Sequence, residues 1–351
     1  MSATESTPRV LVAGETLVDL VAADASLATA EAFDARVGGA PANVAAGLAA
    51  LEEPAALWTR VGDDGLGDRC RRALDAAGVP GEFVEVDPDR ETTVAFATRE
   101  TAADDLAFSF YRRADRHLGE HGTESRGESD GPAKYPVAAL DDVSLVVVGG
   151  IALASDPAQS GILDLVDAAA DADCTVVFDP NARPTAWAAG EFERTVERVL
   201  QIADVVKATP ADLAAAGFDV DAFTPGEDAR PASPDAAPAL AREVCERGPH
   251  TTFLTLGSDG AAAASTHRSP FGRGGATHCG YDVETVDPTG AGDAFLAAVV
   301  AELAGGATDP YAVLDVATAA GALATTTRGA MPALPDRASV DALVASDGGA
   351  P

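Results

Sequence analysis

Lysine is almost absent: Lys134 and Lys207 are the only two in 351 residues, and 24 basic side chains stand against 56 acidic ones, a formal net charge of −32. With a pI near 4.2, the chain is repelled by phosphate backbones and anionic bilayers, which excludes general binding to nucleic acid or to such membranes. The same scarcity removes the P-loop. A Walker motif needs Gly-Lys-Ser/Thr, whereas Ala133 precedes Lys134 and Val206 precedes Lys207. Cys70, Cys174, Cys245 and Cys279 form no CxxC pair, so they read as reduced thiols outside any disulfide. His117 and His121 have helical spacing without the zinc-protease pattern, and His278 with Cys279 lacks further ligands, so no structural zinc is expected. No apolar run is long enough to span a bilayer, and MSATESTPRVLVAG has neither the basic start nor the apolar stretch of a signal peptide. The expectation is a soluble, cytoplasmic protein.

What is present is an apolar fraction of 47%, enough for one large domain or two modest ones with a buried core. Carboxylates in such excess repel one another less when strongly screened. The acidic, lysine-poor composition therefore reads as halophilic, the alternative being an acidic mesophilic protein. Short branched runs at 10–13, 145–148, 175–178, 204–206 and 252–256 alternate with alanine-rich helical stretches at 43–51, 69–77, 160–170 and 192–202. Strand and helix in alternation imply a parallel sheet covered on both faces, an α/β fold. Segments 82–99 and 106–112 break the rhythm with period-two alternation (TTVAFATRE, then DDLAFSFYRR), the pattern of an antiparallel pair with one face exposed. A small β lid, about 20–37 and 84–115, is expected on a single domain spanning 1–351, with polar insertions at 119–136 and 219–238.

The most informative string is DPTGAGDAFLAAVVAEL, 287–303. Gly290 and Gly292 allow a tight turn with exposed N–H groups, and an apolar helix follows. A glycine turn at a helix N-terminus gathers unpaired donors and the positive dipole end, a site for phosphate oxygens. Asp293 in that turn is a helix cap in the plainest reading; beside an anion hole it can also take a proton from a hydroxyl that attacks phosphorus. The dinucleotide fingerprint fails, since the third glycine position holds Phe295. In GGAPANVAAGLAALE, 38–52, Gly38 and Gly39 permit close backbone approach to a ligand, and Asn43 stands where a helix begins, a capping position.

The GG-x-x-x-N string near the start and D-x-T-G-A-G-D near the end resemble the two signatures of the PfkB (ribokinase-like) carbohydrate kinases, in the right order, and the similarity runs from about Val10 to Pro335. The resemblance implies a three-layer α/β/α fold with a central, mostly parallel sheet, a small β-sheet lid over a sugar site, and ATP near the C-terminal half of the sheet. It implies Asp293 as catalytic base, Gly290, Ala291 and Gly292 as the anion hole, and Asp19, Gly38, Gly39 and Asn43 on sugar hydroxyls. TLGSDGA matches the family's nucleotide-binding turn and implicates Thr255, Gly257, Asp259 and Gly260. FYRRAD, FDPNARPTAW and GAMPALP are most similar to fructokinases, which implies Arg112 and Arg183 at the sugar and Asn181 toward the transferring phosphate. In KATPADL, Lys207 and Thr209 fall to the nucleotide, and Asp212 stands where many members carry Glu. One methylene shorter, Asp212 would hold Mg2+ through water rather than directly.

The implied activity is transfer of the γ-phosphate of ATP to a free ketose, fructose to fructose 6-phosphate, with Mg2+. Within the class the alternatives are a 2-keto-3-deoxygluconate kinase and a ketohexokinase, which makes fructose 1-phosphate. Outside it the alternative is a non-catalytic sugar- or nucleotide-sensing protein. Family analogy adds a homodimer through the lids, whose strands have edges that pairing would protect, and activation by a monovalent cation such as K+, for which the sequence has no diagnostic residue.

Overall fold

The computed structural model describes residues 9–22, 27–99, 106–120, 134–223 and 236–346. Their elements run β1 (Val10–Ala13), β2 (Leu17–Ala22), β3 (Phe33–Gly38), α1 (Ala40–Ala50), β4 (Ala55–Gly62), α2 (Gly65–Ala76), β5 (Val84–Asp87), β6 (Val94–Arg99), β7 (Leu106–Tyr111), β8 (Leu145–Gly149), α3 (Ala158–Asp171), β9 (Thr175–Asp179), α4 (Glu191–Leu200), β10 (Val205–Ala208), α5 (Pro210–Ala215), α6 (Ala236–Glu246), β11 (Thr251–Thr255), β12 (Ala261–Ser265), β13 (Gly274–His278), α7 (Ala291–Ala304), α8 (Pro310–Ala324) and α9 (Arg337–Ser346). The main sheet has the order β13-β12-β11-β10-β9-β8-β1-β4-β5. Every pairing from β11 to β5 is parallel, and only β12 and β13 fold back antiparallel.

Alternation along each strand feeds two apolar cores. In β1, Leu11 and Ala13 enter the core built with α3, α4 and α6, while Val10 and Val12 enter the one built with α1, α7 and α8. Both faces are therefore apolar, as a parallel sheet with helices on either side requires, and each fully buried Leu or Val contributes about 1.5–3 kcal/mol. In α1 and α7, eight consecutive residues are buried, Pro41 to Leu48 and Ala294 to Ala301, so these helices are enclosed rather than amphipathic. They pack closely because their contact residues are small. A Cβ on Gly47 would lie 2.8 Å from the Ala297 methyl.

The second, smaller sheet, β3-β2-β6-β7, is built from segments expected in the lid, and its strands are called the lid strands. Its β6–β7 pair is antiparallel, the arrangement that the alternating segments predict. The first of those runs goes elsewhere: Val84–Asp87, expected in the lid, pairs in parallel with β4 at the edge of the main sheet. Its polar positions serve Arg60 on β4, whose Nε donates to Asp87 at 2.9 Å and whose Nη1 donates to Glu85 at 3.1 Å. The alternation there reflects an ion-paired edge, not a lid face. Residues 121–133 and 224–235, most of the two expected insertions, lie outside the described residues, as does His121. None of the four cysteines is in a disulfide. Among the described residues no helix is long and apolar enough to cross a membrane.

Candidate active site

The C-terminal ends of β1, β9 and β10 and the first turns of α1 and α7 meet at one place, where open α/β sheets bind ligands. Gly290 caps α7 with φ 86°, a left-handed conformation that favours glycine. The Ala330 methyl, only 2.7 Å from where a Cβ would stand, closes the position to larger residues. The turn differs in one detail from the expected anion hole. The Ala291 amide donates to the Pro288 carbonyl at 3.2 Å, because the chain doubles back there, whereas the amides of Gly290, Gly292 and Asp293 have no hydrogen-bond partner among the described residues. The donors available to an anion are therefore these three, aided by the helix dipole.

Asp293 stands at this turn, and Asn43 from the first turn of α1 donates to its Oδ2 at 2.8 Å. Burial pushes the Asp293 carboxyl up to about 6 against the Asn43 hydrogen bond and Lys207, with Asp179 adding to the rise and Arg183 opposing it. Neither Asn43 nor Asp293 caps its own helix through its side chain, so the plainest reading of both residues fails and a role toward a ligand remains.

Asp19 lies on the lid strand β2 with Gly38 beside it, since a Cβ on Gly38 would collide with Asp19 Oδ2. Burial raises the Asp19 carboxyl to about 7, the nearby Asp293 adds to the rise, and Arg36 and Arg183 oppose it. The Arg183 guanidinium sits 5.9 Å from the Phe108 ring centroid, which brings it under the lid. Arg112 is held by Asp115 at 2.6 Å and by the Ile151 carbonyl at 2.7 Å. Glu15, which the sequence reading did not single out, follows β1 and is 3% exposed. Burial lifts it to about 7, with Arg112, Asp115 and Asp293 all close enough to act on it. Glu15 Oε2, Asn43 Oδ1 and Arg112 Nη2 are buried polar atoms without a hydrogen-bond partner. Orphaned buried polar atoms are rare and call for an explanation, and three around one carboxylate cluster fit a ligand rich in hydroxyl groups.

Behind the turn, Lys207 on β10 donates to Asp179 at 3.0 Å, both nearly fully buried, and a Cβ on Gly292 would lie 3.0 Å from Nζ. Burial disfavours the Lys207 cation, but Asp179, Asp212 and Asp293 outweigh it and hold its pKa above the ordinary value. Thr209 and Asp212 form a capping box on α5: Oδ2 of Asp212 accepts the Thr209 amide at 2.8 Å. Its Oδ1 accepts the Ala182 amide at 2.7 Å, and this fixes the turn at Asn181, which has φ 40°. Asp212 is thus a structural tie between α5 and the loop after β9. Gly257 and Gly260, with φ 64° and 87°, shape the turn from β11 to β12, which holds Asp259, and Thr255 Oγ1 reaches the Ala208 carbonyl at 3.4 Å. These residues lie two strands from Asp179, at the same end of the sheet.

A carboxylate near neutrality, set in a glycine turn of unpaired amides and facing an uncommitted polar pocket under a lid, is equipment for moving a phosphoryl group to an alcohol. Comparison with known proteins agrees. The pfkB family carbohydrate kinases match residues 7–337, and the chain belongs to that family, a phosphotransferase with an alcohol acceptor. It is 32% identical to fructokinase-1 of Oryza sativa subsp. japonica over 95% of this chain and 96% of that protein. It is 33% identical to a fructokinase of Klebsiella pneumoniae over 85% and 88%. Its fold matches a double-mutant fructokinase of Vibrio cholerae O395 crystallised with fructose, ADP and potassium ion. There the TM-score is 0.75 and the identity 27%, over 97% of this chain and 100% of that one.

Proposed function

We propose that the protein transfers the γ-phosphate of ATP to the 6-hydroxyl of fructose. The observation that carries the reading is Asp293, held by Asn43 between three unpaired amides and the orphaned polar atoms of Glu15, Asn43 and Arg112. The fructokinase relatives favour a ketose. Asp19, Gly38, Gly39, Asn43, Arg112 and Arg183 orient the sugar. With a pKa of about 6, Asp293 is ionised at neutral pH and still basic enough to take the hydroxyl proton. The Gly290, Gly292 and Asp293 amides offset charge on the transferring group, roughly 3–4 kcal/mol per donor in comparable sites. Lys207, Thr209 and Asn181 lie toward the phosphates, and Thr255, Gly257, Asp259 and Gly260 toward the rest of the nucleotide.

Magnesium fits as an ion carried on the phosphates. Asp179 is paired with Lys207 and Asp212 is engaged in capping, and among the described residues no three metal-binding side chains gather, so Asp179 and Asp212 would hold it through water. When bound, the ion neutralises phosphate charge. No residue is assigned to K+. The lid supports a homodimer: on its outer face Phe33 and Tyr111 stand 39% and 54% exposed on either side of Phe96.

One observation favours a second reading. The unpaired Nη2 of Arg112 suits a carboxylate, as in 2-keto-3-deoxygluconate. A coupled assay with fructose, ribose and 2-keto-3-deoxygluconate, with NMR of the product, separates these and distinguishes fructose 1-phosphate. Asp293→Asn is expected to lose about 10²–10⁴-fold in kcat while binding ATP normally. Near-normal turnover removes the base, and sugar binding without any phosphorylated product makes the protein a sensor.

A further inference from the structure

The segments 36–43 and 287–293 touch at both ends. At one end Asn43 donates to Asp293 at 2.8 Å; at the other Arg36 Nη1 on β3 donates to Asp287 Oδ2 at 3.3 Å. Asp287 is 4% exposed and ties the turn together. Its Oδ1 accepts the Thr289 amide at 3.1 Å and the Thr289 hydroxyl at 2.7 Å, and its Oδ2 also accepts the Gly329 amide at 3.0 Å. Gly329 leads into Ala330, the residue that packs on Gly290. Arg36 is itself oriented: its Nε and Nη2 donate to Asp34 Oδ2 at 3.0 and 2.9 Å. In the β2–β3 ladder its partner is Asp19, so Arg36 leaves the lid on the face that carries the sugar-side carboxylate.

We propose that Arg36 is a positioning residue that couples the seating of the lid strand on the sugar to the geometry of the anion turn. The inference rests on the reading of the site as a sugar kinase. The strand β3 ends in Gly38, and Gly39 caps α1, so a sugar that draws this segment inward moves Arg36 with it. Through Asp287 the movement reaches Thr289 and Gly329, and with them the amides of Gly290 and Gly292. Misplacement of a catalytic group by about 1 Å can reduce turnover 10²-fold, so the signature of a lost coupling lies in kcat.

The test compares wild type, Arg36→Met, Arg36→Lys, Asp287→Asn and the Arg36→Met/Asp287→Asn double variant at pH 8.5, above the Asp19 titration, with thermal unfolding verifying that each is folded. Arg36→Met is expected to lower kcat about 10- to 30-fold and to change the sugar KM by less than about threefold. Lysine is expected to recover part of the loss, since it keeps a charge but cannot grip both carboxylates. The double variant is expected to be no worse than the poorer single one. Unchanged kcat in Arg36→Met, an effect confined to KM, or losses that multiply in the double variant would each overturn the proposal. If wild type phosphorylates a panel sugar other than fructose, the fructose assignment fails and the same comparison is made on that sugar, so the two failures are distinguishable.

Discussion

Glu15, Asp19 and Asp293 share one enclosed site, and burial holds each above the ordinary carboxyl range, at about 7, 7 and 6. Because the groups interact, the apparent values belong to the set. From about pH 4 to 7 the folded protein binds more protons at these three groups than the unfolded chain does, so their contribution to the stability of the unliganded protein falls as pH rises through that window. Glu15→Gln removes one such group. At pH 8 the variant is expected to unfold on the order of 2 kcal/mol later than wild type, a difference that vanishes near pH 4. Its kcat/KM for sugar should fall about 10- to 100-fold, for a lost hydrogen bond to a charged group. Unfolding curves at both pH values, with steady-state kinetics, check this; a variant less stable than wild type at pH 8 contradicts it. Asn43 and Asp293 stood out beside their glycines in two short strings, and Asp19 entered only through the family resemblance. Glu15 was not legible, because only the fold brings Arg112 and Asp293 to it. Nor does spacing reveal that the Ala291 amide turns onto Pro288, since a glycine turn has several amides and local geometry decides which stay unpaired.

At the scale of elements, the lid shows where pattern reading succeeds and where it fails. Segments β6 and β7 were legible because a half-exposed antiparallel pair alternates. Val84–Asp87 alternates too, yet the buried Arg60 draws it to the main sheet. The strand β12 is AAAAS, whose alanines favour helix, and its position between β11 and β13 overrides that preference. The lid's outer face carries the dimer expectation. Phe96 packs edge-on against Phe33 at 5.5 Å and Tyr111 at 5.4 Å, and the two outer rings remain exposed on the edge strands β3 and β7. Aromatic rings at the centre of an interface carry much of its energy. Tyr111→Asp is therefore expected to turn a dimer into a monomer in light scattering at micromolar concentration, while Asp293 and its turn stay intact. A wild type that is monomeric at the same concentration eliminates the lid interface.

For the whole molecule, charge sets the balance. The 24 basic side chains neutralise less than half of the charge of the 56 acidic ones and leave a net charge of −32. Added salt weakens attraction and repulsion alike, and the Debye length falls from about 10 Å at 0.1 M to about 3 Å at 1 M. The exposed pairs lose little, because such pairs are worth roughly 0–1 kcal/mol each. Examples are Arg71 with Asp68 and Arg247 with Glu197. The buried Lys207–Asp179 and Arg60–Asp87 pairs are shielded from the solvent ions. Repulsion among the unpaired surface carboxylates is the larger and more exposed quantity, so its relief decides the sign. The thermal unfolding midpoint of the unliganded protein is expected to rise steadily with KCl from 0.1 to about 2 M, and to rise less in a variant with several surface Asp or Glu residues replaced by Asn or Gln. A midpoint that is flat or falls over this range would mean that the arginine pairs, not the carboxylate excess, govern the stability of the fold.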